Sequence, residues 1–259
     1  MHLGLYLSHY PAGISAILLS VVFALACQAL LKNLLGKDRI RESHEVGGYY
    51  LSIAGTFYAV LLGLVVVDAM SNFKDAEKTL ENEASALVNI YILAEKFPQQ
   101  TRAIRDLATE YTEEVLNEEL PMMAHFEISA KARNTALKLL GVLKNIEPVT
   151  ENQKTLYSSI LSETSALWEA RRDRTKISNH GIPAVEWVVL IVGAIITIVF
   201  TFFFVIESSL IHFTMTGMIV LLISMSLYLV LLFGAPFSGD LRVSDRPFSV
   251  AKTFFTEHL

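Results

Sequence analysis

The sequence predicts an all-α polytopic membrane protein: four transmembrane helices in two pairs, with a helical extramembrane domain inserted between the pairs. Three observations carry this. Four uncharged apolar stretches, Leu3 to Leu31, Val46 to Val67, Trp187 to Ile206 and Phe213 to Gly239, each supply the roughly 20 residues a helix needs to cross a hydrocarbon core of about 30 Å. The region between the pairs, residues 71–182, holds 14 of the 21 Lys and Arg and 17 of the 26 Asp and Glu. No alternation of period two appears in that region, whereas apolar residues recur there at helical spacing. The expected division is 1–70 for the first two spans, 71–182 for the helical domain, 183–239 for the last two spans and 240–259 for a tail.

Composition excludes several classes. An apolar fraction of 53% and a mean hydropathy of +0.45 are too high for an ordinary soluble domain, and the excess sits in the four stretches. A net charge of −5 with nearly balanced charges in the insert argues against nucleic-acid binding. The single cysteine, Cys27, lies inside the first span and has no cysteine to pair with. The N-terminal stretch has no Lys or Arg before it and exceeds a typical signal-peptide core, so it reads as a retained span.

The first span runs from about Pro11 to Leu35, and proline is tolerated in a first helical turn because its missing N–H would be unpaired there. A short connector, Gly36 to Glu45 with Lys37, Arg39 and Arg41, leaves room only for a tight return. Spans one and two are therefore expected as antiparallel neighbours. Along the second span, Gly48, Ser52, Gly55, Ala59 and Gly63 recur every three or four residues and share one face. Small side chains let membrane helices approach closely, so this is the expected packing face. Ile53, Phe57, Val60, Leu64 and Val67 occupy the opposite face.

Nothing ends this helix at the membrane. No proline or glycine occurs from Asp68 to Phe97, and Phe73, Ala76, Leu80, Ala84, Leu87, Tyr91 and Ala94 extend an apolar stripe. One helix is expected from about Val46 to Phe97, stopped by Pro98. Three more follow: Gln100 to Leu120, ending before Pro121; about Phe126 to Asn145; and one from Thr150 to about Lys176, opened by a Thr150–Gln153 capping box. Pro183 begins the third span, and Glu207 to His212 is the turn into the fourth. Pro236-Phe237-Ser238-Gly239 and Pro247-Phe248-Ser249 form a small repeat in the tail that reads as coincidence.

The run Gly47-Gly48 through Tyr58-Ala59-Val60-Leu61-Leu62-Gly63, then Phe73 and Glu77, resembles the bestrophin-like family of bacterial membrane proteins. So do Arg171, Arg172 and Arg174 ahead of Pro183 and Trp187, and the Pro236–Gly239 segment. Where the family leads one to expect an acidic–Trp–Pro step, this chain has Glu119-Leu120-Pro121. The resemblance covers nearly the whole chain. It implies kinship to bestrophins, which are homo-oligomeric ion channels, typically pentamers, with a pore lined by the second span.

Three constellations are candidates for function. Asp68 ends the second span; in a ring of subunits it forms a circle of carboxylates, and alone it is a hydrated or Lys74-paired helix end. Arg171, Arg172, Arg174 and Lys176 either line a vestibule, or rest on lipid headgroups and pair with Glu169 and Asp173. Ile53, Phe57, Val60 and Leu64 either constrict a pore or pack on lipid or another span. The acidic cluster Glu110, Glu113, Glu114, Glu118 and Glu119 matches no calcium loop and reads as a solvated helix face. No zinc grouping, phosphate loop or nucleophile elbow occurs, so neither an enzyme nor a cofactor is expected.

The expected protein is a homo-oligomeric channel of the bacterial inner membrane whose partners are lipids, permeant ions and further copies of itself. The alternative is a non-conducting scaffold or sensor. Lys and Arg near the span ends favour a cytoplasmic insert with both termini inside.

Overall fold

The computed structural model describes residues 6–35, 44–179, 181–204 and 208–258. Its helices are α1 (Tyr10–Leu35), α2 (His44–Leu93), α3 (Thr101–Glu114), α4 (Ala130–Lys144), α5 (Glu151–Asn179), α6 (Ala184–Phe202), α7 (Ser209–Phe233) and α8 (Arg246–Glu257). No strand occurs among the described residues. Two compact units divide the chain: Met1–Ser71 with Ile182–Ala235 and Gly239–Leu241, and Asn72–Gly181 with Pro236–Ser238 and Arg242–Leu259. The first, a spanning unit, contains α1, the start of α2, α6 and α7. The second, a helical unit, contains the rest.

Among the described residues, four helices are long and apolar enough to cross a membrane. Within the spanning unit α1 packs along α7. Polar side chains in an apolar medium need partners, and they meet across this pair: Ser20 with Ser224 at 2.8 Å, and Gln28 donating to Thr216 at 3.0 Å. Ala24 and Val220 fill the level between them, with Phe202. α7 is thus a packed partner of α1. The expected connector bases Lys37, Arg39 and Arg41 lie outside the described residues.

α2 is one unbroken helix of 50 residues, as the lack of proline and glycine after Asp68 predicts. It tightens into a 3-10 turn, Ala94–Lys96, just before Pro98. In the helical unit its stripe Ala76, Leu80, Ala84, Leu87 and Tyr91 is buried. α5 begins with the expected capping box: the Gln153 N–H donates to Thr150 Oγ1 (3.2 Å) and the Thr150 N–H to Gln153 Oε1 (3.3 Å).

Two boundaries differ from expectation. The helix after Pro98 does not stop before Pro121; it widens into a π turn, Val115–Glu119, and continues through a helical turn, Leu120–Met123, that carries Pro121 where an N–H is dispensable. The next helix starts at Ala130, not near Phe126, because Phe126 adopts φ 63° and Ser129 caps the start by accepting from the Ala132 N–H. The tail also holds a helix the sequence reading lacks, α8. Phe248, Ala251 and Phe255 are its buried residues.

Candidate functional site

The second span divides into three faces. Tyr58 and Leu62 point inward and pack with Leu190, Ala194, Ile223 and Val230 from α6 and α7. Close approach here depends on Gly193, since a Cβ at that position would run into the Tyr58 ring. The small-residue face does not perform this role within the chain. Ser52, Ala59 and Gly63 are exposed; among the described residues nothing lies within 4 Å of a Cβ built at Gly55 or Gly63, and Gly48 meets only Phe204, at 3.9 Å. The expected packing face is therefore open, and the tight helix crossing belongs to Tyr58 over Gly193.

The third face is the expected pore face. Ile53, Phe57, Val60 and Leu64 are among the most exposed large apolar residues, Phe57 at 74%, and Asp68 is exposed one turn further on. Phe57, Val60 and Leu64 form one wall of a groove of about 450 Å³ whose other wall is Val189, Gly193 and Ile196 of α6. An exposed aromatic in an apolar span costs nothing in lipid, but one beside an open groove also presents a surface that a further helix can fill.

In the helical unit the structure gathers charges that the sequence scatters. Glu83 from α2, Tyr111 from α3, Glu119 from the π turn, and Arg171 and Arg174 from α5 form one buried network. Arg174 donates from Nε and Nη2 to the two oxygens of Glu83 (2.5 and 2.9 Å), and from Nη2 to Glu119 (2.9 Å). Arg171 grips Glu119 through both terminal nitrogens, one at 2.7 Å, and also donates to the Tyr111 hydroxyl at 3.0 Å. Tyr111 in turn donates to Glu83. Two carboxylates face two guanidinium groups, so the core is neutral overall and its polar atoms are satisfied, which is the condition for burying ions at all.

This corrects the expected placement of the arginine step. Arg171 and Arg174 are buried within the unit and line no vestibule or headgroup surface. Arg172 is exposed, 3.9 Å from Glu169 on the same helix, and Lys176 is exposed. The acidic cluster is divided: Glu110 and Glu113 are exposed, as a solvated face requires, whereas Glu114 and Glu119 are buried. Glu113 pairs with Lys252 of α8 at 3.0 Å, Glu114 with Lys131 at 3.5 Å, and Glu118 accepts from Ser129. The π turn explains the last member: its wider coil returns Glu119 to the side already occupied by Tyr111 and Val115.

Electrostatics follow the burial. Desolvation opposes ionisation of Glu119, but Arg174 and Arg171 outweigh it and hold the carboxyl below its ordinary range. Burial, reinforced by the Glu83 carboxylate, pushes the Tyr111 phenol well above its ordinary value, with both arginines opposing. Outside the spans, Asp240 is held low by the Tyr10 N–H (2.8 Å) and His9 (2.9 Å). Gly239, at φ 73°, allows that corner, because a side chain there would collide with Ser8. Among the described residues no group of three or more His, Cys, Asp or Glu is placed to hold a metal ion.

This architecture has solved counterparts. A crystal structure of a bacterial bestrophin homolog from Klebsiella pneumoniae, carrying one substitution, matches with TM-score 0.70 at 10% identity, covering 92% of this chain and 98% of that one. A second variant of that homolog matches with TM-score 0.64 at 13% identity, covering 94% and 99%. A crystal structure described as a membrane protein matches with TM-score 0.71 at 11% identity, covering 94% and 97%. No curated protein matches the chain. At such identities these likenesses establish the fold; the family rests on the sequence model for the bestrophin-like domain, which matches residues 18–248. The chain belongs to the bestrophin-like family.

Proposed function

We propose that the chain assembles into a homo-oligomeric ion channel of the bacterial inner membrane, with the second span lining the pore. The observation that carries this is the face of α2 bearing Ile53, Phe57, Val60 and Leu64. It is apolar, exposed and left uncovered by the chain's other spans, and membership of the bestrophin-like family supports reading it as a pore wall. Five copies is the number that the likeness to bestrophins favours.

In this reading Phe57 and its neighbours form a constriction that excludes water until it widens. Asp68 then stands in a ring at one mouth and attracts cations. Arg172 and Lys176 are left as the exposed bases of the arginine step, facing headgroups or the vestibule. The helical unit and both termini are proposed to be cytoplasmic, supported by the bases at 74, 78, 172, 176, 242, 246 and 252.

Purified protein in a planar bilayer tests the reading. A current in the wild type, enlarged by Phe57→Ala, supports it. Silence at every voltage in both proteins leaves the non-conducting scaffold or sensor.

A further inference from the structure

α4 carries Lys131, Arg133, Lys138 and Lys144 and no acidic residue along its length. One side of it, centred on Ala132, Ala136, Leu139 and Leu143, is buried against α3 and α5. The other side is open: Arg133, Lys138 and Lys144 are exposed, Leu137 is 43% exposed, and nothing lies within 4 Å of a Cβ built at Gly141. Lys131 is occupied by Glu114. Arg133, Lys138 and Lys144 have no ion-pair partner among the described residues.

The same unit has a groove of the opposite character. It lies between α2 and α5, encloses about 380 Å³, and is lined by Glu163, Glu169 and Asp173 with no Lys or Arg. Ala86, Ala166 and Ala170 also line it, and small side chains of this kind are what admit the close approach of another helix. Glu169 lies 3.9 Å from Arg172 on the same helix.

We infer that this acidic, alanine-lined groove receives the basic open side of α4 from a second copy of the chain. Leu137 and Gly141 lie against the alanines, and Arg133, Lys138 and Lys144 fall among Glu163, Glu169 and Asp173. Three unneutralised bases meet three carboxylates, and such complementarity selects the partner and fixes its register. The donor surface and the groove are different surfaces of one chain. In this inference the contact is head-to-tail, each copy giving its α4 to one neighbour and its groove to the other, which builds a ring where the rotation between copies closes. This inference rests on the homo-oligomer reading above and names the contact that joins neighbouring copies in the helical unit.

Disulfide trapping in full-length protein tests it. In a Cys27→Ser background, copies carrying only Leu137→Cys are co-expressed with copies carrying only Ala166→Cys. Oxidation is expected to give a cross-linked pair when both are present and none when either is alone. Adding Glu163→Lys and Asp173→Lys to the Ala166→Cys copy should lower the yield about tenfold, and adding Arg133→Glu and Lys138→Glu to the other copy should restore it. A cross-link formed by Leu137→Cys copies alone would indicate a face-to-face contact and overturn the inference. So would the absence of any cross-linked pair. If the wild-type particle in detergent still weighs a multiple of 28.8 kDa, the oligomer reading survives that failure; a monomeric particle removes both.

Discussion

Arg174 and Glu83 lie 91 positions apart in sequence and meet in a two-pronged ion pair, 2.5 and 2.9 Å, with neither side chain exposed to solvent. The pair fastens the continuation of the second span into the helical unit, because Glu83 belongs to α2 and Arg174 to α5.

Removing one partner strands the other as a buried, uncompensated charge. Glu83→Gln is therefore expected to destabilise the helical unit by about 3–5 kcal/mol. Arg174→Met in the Glu83→Met background should cost much less than either change alone, since no charge is left behind. Thermal unfolding in detergent, followed by circular dichroism across the double-mutant cycle, measures the coupling.

The same network sets an acid limit. Glu119 is held below its ordinary value of 4.5 in the folded state, so its contribution is complete above about pH 4.5 and declines as pH falls through the lower folded value. Stability measured from pH 7 downward should show this loss in the wild type. Glu119→Gln should be less stable at pH 7 and lose the part of the acid dependence that Glu119 supplies. Tyr111 acts at the other end: its raised value means stability falls as pH rises above 10, and Tyr111→Phe should flatten that limb.

Gly193 admits the Tyr58 ring. Gly193→Ala is expected to cost about 1–3 kcal/mol through overpacking, and Tyr58→Leu in the same chain should recover most of it. Equal losses with and without Tyr58 would place the cost elsewhere.

The Asp240 corner predicts a local effect. Gly239→Ala forces a side chain into a left-handed backbone, at about 1–2 kcal/mol, and against Ser8. Faster hydrogen exchange at Tyr10 and Asp240, with the α1–α7 core unchanged, is the expected signature. Asp240→Asn should weaken the grip on the Tyr10 N–H less than Asp240→Ala does.

Much of this fold is legible in the sequence, and the reasons differ by element. Apolar runs mark the spans because lipid tolerates little else. The unbroken α2 follows from the lack of proline and glycine between Asp68 and Phe97, and the α5 start follows from Thr150 and Gln153. Arg171 and Arg174 were not legible as core residues, because their carboxylate partners lie 52 to 91 positions away. One signal was available: both arginines continue the stripe of Ile160, Thr164 and Leu167, which are buried. The tail helix is illegible in the sequence for a similar reason. Phe237 and Phe248, one in each copy of the small Pro-Phe-Ser repeat, are both buried, but a repeat of three residues carries no periodicity from which to read a helix. The small-residue face of α2 states only that close approach is possible, not with which chain.

Asp68 offers a selectivity test. If its carboxylates ring the pore mouth, Asp68→Asn should shift the reversal potential in asymmetric salt toward anion preference by several millivolts or more, with little change in stability. An unchanged reversal potential assigns Asp68 to a hydrated helix end.

Block of current through introduced cysteines tests the central claim most directly. Cys27 is the single native cysteine, so Cys27→Ser gives a silent background for Phe57→Cys and Leu62→Cys. With the second span lining the pore, a charged thiol reagent should block most of the current through Phe57→Cys and leave Leu62→Cys, buried against α6 and α7, unaffected. Block at position 62 without block at 57, or no current in the background protein, would contradict the account.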